Sequence, residues 1–190
     1  MRTVEQRESR KKEVMESCFD CFCKNGLNNT NMRQLAAASG MSSGNLYVYF
    51  ENIDRLILES TEYCMTKVED EFMTKATACL DDLNNFLHEL PRWTAEKHGE
   101  AYRFMYQVYT SPKYYQYGTN FVKSTEERYR VYAKLLAPQL NIPEDKLVGL
   151  MHVFIRACVH FAMFRDETYL DAQLEVLRSW YRQYNQLKNM

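Results

Sequence analysis

The chain lacks a long apolar run. Nowhere do about 18 apolar residues follow one another, so no membrane span is expected. The first residues, MRTVEQRESRKKE, are charged and carry no apolar segment, so no secretory signal is expected either. The compartment that follows is the cytoplasm, where six cysteines read as reduced thiols rather than disulfides. Charge of one sign is also lacking. Lys and Arg number 24 against 25 Asp and Glu, for a formal net charge of −1. That excludes a surface coated in positive charge, but not a local face for nucleic acid. Catalytic motifs are missing as well. There is no Ser/His/Asp cluster at informative spacing, no phosphate-cradling glycine loop and no HExxH. His88, His98, His152 and His160 are scattered, and the last two sit eight residues apart without a metal signature. The chain is therefore not expected to be an enzyme, and no cofactor or metal is expected. Strand-type alternation, internal repeats and low-complexity tracts are absent too.

What is present is an ordinary globular composition over 190 residues, with 46% apolar and 26% charged residues. That length suits one large domain, or a small one plus a larger one. The organising stretch is residues 30–50, TNMRQLAAASGMSSGNLYVYF, which reads as two short helices joined by a tight turn. Met32, Leu35 and Ala36 fall at i, i+3 and i+4 and make one apolar face. Thr30 is the expected N-cap of the first helix, through its hydroxyl. Ser39-Gly40 ends it, since glycine tolerates the left-handed conformation there. Ser42 caps the second helix. Leu46 and Phe50 point inward, and Ser43, Asn45, Tyr47, Val48 and Tyr49 occupy the rest of its surface. A helix-turn-helix of this kind places its second helix in the DNA major groove.

Upstream, a first helix is expected from about residue 6 to Asn25, with Met15, Cys18, Phe19 and Phe22 as its stripe and Gly26 as its stop. Arg2, Arg7, Arg10, Lys11 and Lys12 are mixed there with Glu5, Glu8 and Glu13. That segment admits two readings: a solvated helix start, or a basic arm touching phosphates. Residues 1–56 hold eight Lys/Arg against seven Asp/Glu. The motif, not charge, therefore carries the DNA argument. Cys18-x-x-Cys21-x-Cys23 also admits two readings. Cys18 falls on a core position, where cysteine behaves as a small hydrophobe. The alternative is a thiol- or metal-responsive regulator using Cys18, Cys21 and Cys23, though no second Cys/His pair lies nearby to complete a four-ligand site.

Downstream, everything reads helical. A linking helix runs from about 52 to 75, with Ile57, Ser60, Cys64, Val68 and Phe72 on one face. Further helices are expected at about 78–97, bent or divided by Pro91, and at about 99–110. Ser111-Pro112 and the segment Tyr114–Gly118 form an irregular link. A helix closed by Pro138, one opened by Pro143 and running to about Phe164, and a last one over 168–188 complete the chain. In the final two, Leu147, Met151, Phe154, Cys158 and Phe161 recur on one side, and Leu170, Leu174, Leu177, Tyr181 and Tyr184 on one side, with Val176 and Trp180 on another. Helices apolar on more than one side must bury more than one side.

Val14-Met15, Cys18-Phe19, Phe22, Asn25-Gly26-Leu27, Thr30, Met32-Arg33, Leu35-Ala36, Ser39-Gly40-Met41-Ser42, Gly44, Leu46-Tyr47, Tyr49-Phe50 and Leu56 follow one another without a gap. Over roughly residues 10–57 this order resembles the N-terminal domain of TetR-family transcriptional regulators. The resemblance implies an all-α chain of about nine helices. Residues 1–50 would be a three-helix DNA-binding domain, and residues 51–190 a helical domain for effector binding and dimerisation. It implies a ligand-responsive regulator, usually a repressor released from a palindromic operator by a small molecule. DNA contacts are expected from Thr30, Asn31, Arg33, Ser42, Ser43, Gly44, Asn45, Tyr47, Val48 and Tyr49. The family places a basic residue near position 53; Ile53 stands there, with Arg55 the nearest substitute. An effector pocket is expected among Cys64, Phe86, Leu90, Trp93, Tyr102, Met105, Tyr106, Tyr109, Phe121, Tyr129, His152 and Arg156. A homodimer is expected through Met151, Phe154, Cys158, Leu170, Leu174, Leu177, Trp180 and Tyr181.

Overall fold

The computed structural model describes residues 3–79 and 82–188. Among these, eight α-helices and no strand are present: α1 (Val4–Asn25), α2 (Met32–Ala38), α3 (Ser43–Tyr49), α4 (Ile53–Ala78), α5 (Leu83–Tyr109), α6 (Tyr115–Leu140), α7 (Glu144–Phe164) and α8 (Glu167–Lys188). The chain divides into two compact units. One comprises Met1–Met73 with Glu100–Phe121, the other Thr74–Gly99 with Val122–Met190.

In the first unit, α1 starts earlier than its apolar stripe suggests because Thr3 and Gln6 form a reciprocal capping box. Gly26, at φ +83°, ends it and donates its N–H to the Phe22 carbonyl at 2.7 Å. Val14, Cys18, Phe22, Leu35, Leu46, Phe50, Leu56 and Met65 form the buried core of this unit. The second half of α5 joins it. Phe104 stacks on Phe22 at 5.2 Å between ring centroids and meets Phe19 edge-on at 5.6 Å.

Eight helices stand where about nine were expected, because the helices expected at about 78–97 and 99–110 are the single helix α5, with Pro91 inside it. Proline in a helix interior costs roughly 3 kcal/mol. Leu87 and Leu90 on the same helix are buried, at about 1.5–3 kcal/mol each, which offsets that cost. The expected link at Tyr114–Gly118 is also mostly helix. Only residues 110–114 turn, and Gly118 sits within α6. A Cβ on Gly118 would lie 2.6 Å from the Tyr109 Cβ, so this glycine serves a close helix crossing rather than a bend. Pro138 does not close α6 either. The helix runs to Leu140 and ends where Asn141 adopts φ +53°.

The second unit is built on α7 and α8. Leu147, Val148, Ala133 and Ile142 form a buried cluster, flanked by Trp180, Tyr181 and Tyr184. Phe86 stacks on Phe154 at 4.8 Å, and Arg92 pairs with Glu167 at 2.5 Å. Arg165, in the left-handed conformation at the end of α7, donates to the Ala95 carbonyl. By length and composition α7 is long and apolar enough to cross a membrane, contrary to the expectation from uninterrupted runs. Its apolar residues have a different use, since Phe154, Ile155, Ala157, Cys158, Val159, Phe161 and Ala162 are buried in the chain's own core.

Candidate nucleic-acid interface

The geometry around α2 and α3 follows from their ends. The cap of α2 is Asn31, not Thr30. The Asn31 Oδ1 accepts the N–H groups of Arg33 and Gln34 at 3.1 Å each, and the Gln34 Oε1 accepts the Asn31 N–H at 2.9 Å. The Asn-x-x-Gln spacing of this box was legible in the sequence. Thr30 is buried instead, and its hydroxyl donates to the Gly26 carbonyl at 2.8 Å. Gly40 makes the turn at φ +65°, and Met41 donates back to the Ala36 carbonyl at 2.9 Å. Ser42 caps α3 as expected, with its Oγ accepting the Asn45 N–H at 3.2 Å.

Leu46 and Phe50 anchor α3 in the core. On the other side, Tyr47 is 54% exposed and Val48 59% exposed. Ser42, Gly44 and Asn45 are also exposed, Ser43 and Tyr49 half-buried, and Arg33 and Asn31 exposed on α2. Nine of the ten expected DNA contacts thus line the outer surface of the two helices, while Thr30 faces inward. Ile53 opens α4 and is half-buried. Arg55 is exposed, its N–H held by the Asn52 Oδ1 at 2.9 Å.

Three of the basic residues before the motif have partners within the chain, while Lys12 is exposed and Arg2 lies outside the described residues. Arg7 donates to the Val48 carbonyl at 3.2 Å. Arg10 donates to the Ser39 carbonyl at 2.9 Å and pairs with Glu13 at 2.7 Å. Lys11 pairs with Glu59 at 2.7 Å. Sequence reasoning missed these grips, because contacts 29 to 48 residues away leave no periodic signal.

The twelve expected effector residues fall equally into the two units. In the first, Cys64, Tyr102 and Met105 are buried, Tyr106 is half-buried, and Tyr109 lies 5.2 Å from Phe121. Burial pushes the Tyr109 phenol up. In the second, Leu90 is buried, Phe86 is used against Phe154, and Trp93 meets His98 edge-on at 5.1 Å. Tyr129 is buried against His152 at 5.3 Å, and Arg156 is exposed.

Five of the eight expected dimer contacts are core residues of the subunit. Phe154, Cys158, Leu170, Leu174 and Leu177 are buried within the chain itself. Periodicity identified an apolar side of each helix but not which neighbour covers it. Met151, Trp180 and Tyr181 are half-buried. The exposed apolar residues are others: Val153, Phe164, Tyr169 and Val176, the last at 67%. An open depression on α8 is lined by Ala172, Glu175, Val176, Ser179, Trp180 and Gln183.

Burial pushes Cys18, Cys23 and Cys64 up to about 12, so little thiolate exists at neutral pH to attack or to ligate. Among the described residues, no three His, Cys, Asp or Glu side chains group as metal ligands.

Residues 15–59 match the sequence model described as bacterial regulatory proteins, tetR family. No curated protein matches the chain. Solved structures share its fold. A chain from Mesorhizobium loti assigned to the TetR-family transcriptional regulators is 18% identical, with a TM-score of 0.66 over 92% of this chain and 96% of that one. A chain from Pseudomonas aeruginosa assigned as a transcriptional regulator is 14% identical, with a TM-score of 0.60 over 94% and 91%. The transcriptional regulator FadR from Bacillus subtilis, in complex with stearoyl-CoA, is 11% identical, with a TM-score of 0.57 over 87% and 95%. Residues 15–59 are thus similar to the tetR family of bacterial regulatory proteins, and the all-helical architecture is similar to that of solved TetR-family regulators.

Proposed function

We propose that this protein is a sequence-specific transcriptional regulator that reads a palindromic operator as a homodimer and answers to a small molecule, with repression as its mode. The observation that carries this reading is α3. It is anchored by Leu46 and Phe50, capped by Ser42, and presents Asn45, Tyr47 and Val48 outward. Asn45 offers an amide suited to base edges, and the tyrosine hydroxyls and Arg33 suit phosphate oxygens. Ile53 supplies no phosphate contact at the start of α4, which leaves Arg55 to do so.

Pairing is assigned to the outer faces of α7 and α8, through Val153, Val176, Trp180 and Tyr181. Val153 and Val176 are exposed there, and Trp180 and Tyr181 are half-buried beside them. Two recognition helices then meet half-sites one helical turn apart, or a multiple of it. The effector acts by differential affinity for two states of the helical body, and the coupling to DNA is reciprocal. The aromatic and apolar side chains Phe86, Leu90, Trp93 and Tyr129 of the second unit favour an apolar effector. The stearoyl-CoA bound by the FadR structure makes acyl-CoA thioesters the first class to screen. Within the cell this places the protein in the cytoplasm, with DNA. The thiol- or metal-responsive alternative is disfavoured by the raised values of Cys18 and Cys23.

The test is selection from a random-sequence duplex library by the purified protein. Enrichment of an inverted repeat supports the reading. A pool that stays random after successive rounds overturns it.

A further inference from the structure

We propose that Arg7 is a positioning residue for the recognition helix. It holds the C-terminal end of α3 from behind and so sets which bases α3 meets, without touching DNA. The proposal rests on the reading of α3 as the recognition helix.

α2 and α3 are seven residues each. Helices that short are marginal by themselves. Their last carbonyls lack helical partners, and their C-terminal ends carry partial negative charge that a cation relieves. Neither helix has a basic residue in its own last turn. The cations come from α1 instead. Arg10 Nη2 donates to the Ser39 carbonyl at the end of α2, at 2.9 Å. Arg7 Nη2 donates to the Val48 carbonyl in the last turn of α3, at 3.2 Å, and its guanidinium lies 5.9 Å from the centre of the Tyr49 ring. Lys11 lies 5.3 Å from the Phe50 ring centre and pairs with Glu59 on α4.

Residues 7, 10 and 11 share one face of α1, and Val14 and Cys18 continue that face into the core. One stripe of α1 therefore changes from apolar to basic and grips the ends of α2 and α3 and the body of α4. Arg7 is the member that bears on DNA reading. Tyr47, Val48 and Tyr49 form the last turn of α3, and Tyr47 and Val48 are exposed on it. With the Val48 carbonyl released, that turn is free to fray, and its side chains lose their fixed approach to the groove. Arg7 itself is exposed, so its removal leaves Val14, Met15 and Cys18 in place.

The experiment compares wild type with Arg7→Met on two labelled duplexes: the sequence that wild type selects from a random library, and a scrambled version. Anisotropy is followed from 50 to 200 mM salt. Affinity for the selected duplex falls about tenfold, the effect of losing a hydrogen bond from a charged donor. Affinity for the scrambled duplex, which is phosphate attraction, stays within about twofold, and the slope of log affinity against log salt is unchanged. Hydrogen exchange in the free protein quickens at the last turn of α3, while the thermal melt shows the fold retained. A salt slope smaller by about 2 per dimer, with both duplexes weakened alike, makes Arg7 a phosphate contact and overturns the proposal. Unchanged affinities, or unchanged exchange across α3, overturn it as well. If wild type selects no sequence, the DNA-reading function fails before any variant is compared, and the proposal falls with it.

Discussion

Tyr114→Phe isolates one contact that ties the α5–α6 turn to the helix following α3. The Asp54 Oδ1, in the first turn of α4, accepts the Tyr114 hydroxyl at 2.6 Å and the Lys113 ammonium at 2.6 Å. Tyr114 is buried and the Asp54 side chain is 36% exposed. A hydrogen bond to a charged group contributes about 1.5–3 kcal/mol when well buried. Solvent screening at Asp54 reduces this to about 1 kcal/mol. For a chain of this size that is a melting point lower by about 2–4 °C. The pH profile is the sharper readout. Lys113 first, and Tyr114 next, hold the Asp54 carboxyl below its ordinary value of 3.8. A depressed carboxyl contributes stability that is fully present above the unfolded value and is lost as pH falls through the native one. Burial, and then Asp54, push the Tyr114 phenol up. Its contribution is therefore present below the unfolded value of about 10 and is lost as pH rises beyond that. The stability gap between wild type and Tyr114→Phe is thus widest between pH 5 and 9 and narrows at both ends. Chemical denaturation at pH 3, 7 and 10.5 measures it. A gap of the same size at all three, or none at pH 7, refutes the reasoning.

Asn31→Ala removes the cap of α2 and lowers stability by about 1 kcal/mol in urea unfolding, whereas Thr30→Ser, which keeps the hydroxyl to Gly26, costs less. Gly118→Ala forces a methyl against Tyr109 and destabilises by about 1–3 kcal/mol, despite the better helix propensity of alanine. Cys18, Cys23 and Cys64 resist alkylation at pH 8 in the native protein and react at once on unfolding; native reaction at the rate of a free thiol contradicts their raised values. Val176→Glu on the outer face of α8 shifts sedimentation from dimer to monomer, and a sedimentation profile identical to that of wild type removes α8 from the pairing surface.

The local pattern of the helix-turn-helix was legible because its determinants are close in sequence. Leu46 and Phe50 inward, Tyr47 and Val48 outward, and the Ser42 cap all follow from helical period and side-chain chemistry. The N-cap was misplaced by one residue, since Thr30 and Asn31 both suit a cap and only the Gln34 return bond decides between them. Proline and glycine misled further along. Pro91, Pro138 and Gly118 carry strong local preferences for breaks, and packing of the surrounding turns outweighs each of them. The inner faces of α7 and α8 looked like an interface because an apolar stripe has the same period whether its own chain or a second one covers it. Arg7, Arg10 and Lys11 looked like a solvated or phosphate-seeking arm for the same reason. Their partners lie far along the chain, and charge alone does not name a partner.

The central claim is that α3 reads DNA. Fluorescence anisotropy of the purified protein on its own upstream region, with random duplex as competitor and a salt series, tests it most directly, together with Tyr47→Ala. The account predicts tight binding by a dimer that random DNA fails to compete, and loss of that selectivity in the variant. Weak binding that random DNA removes completely, or selective binding that Tyr47→Ala leaves intact, would contradict it.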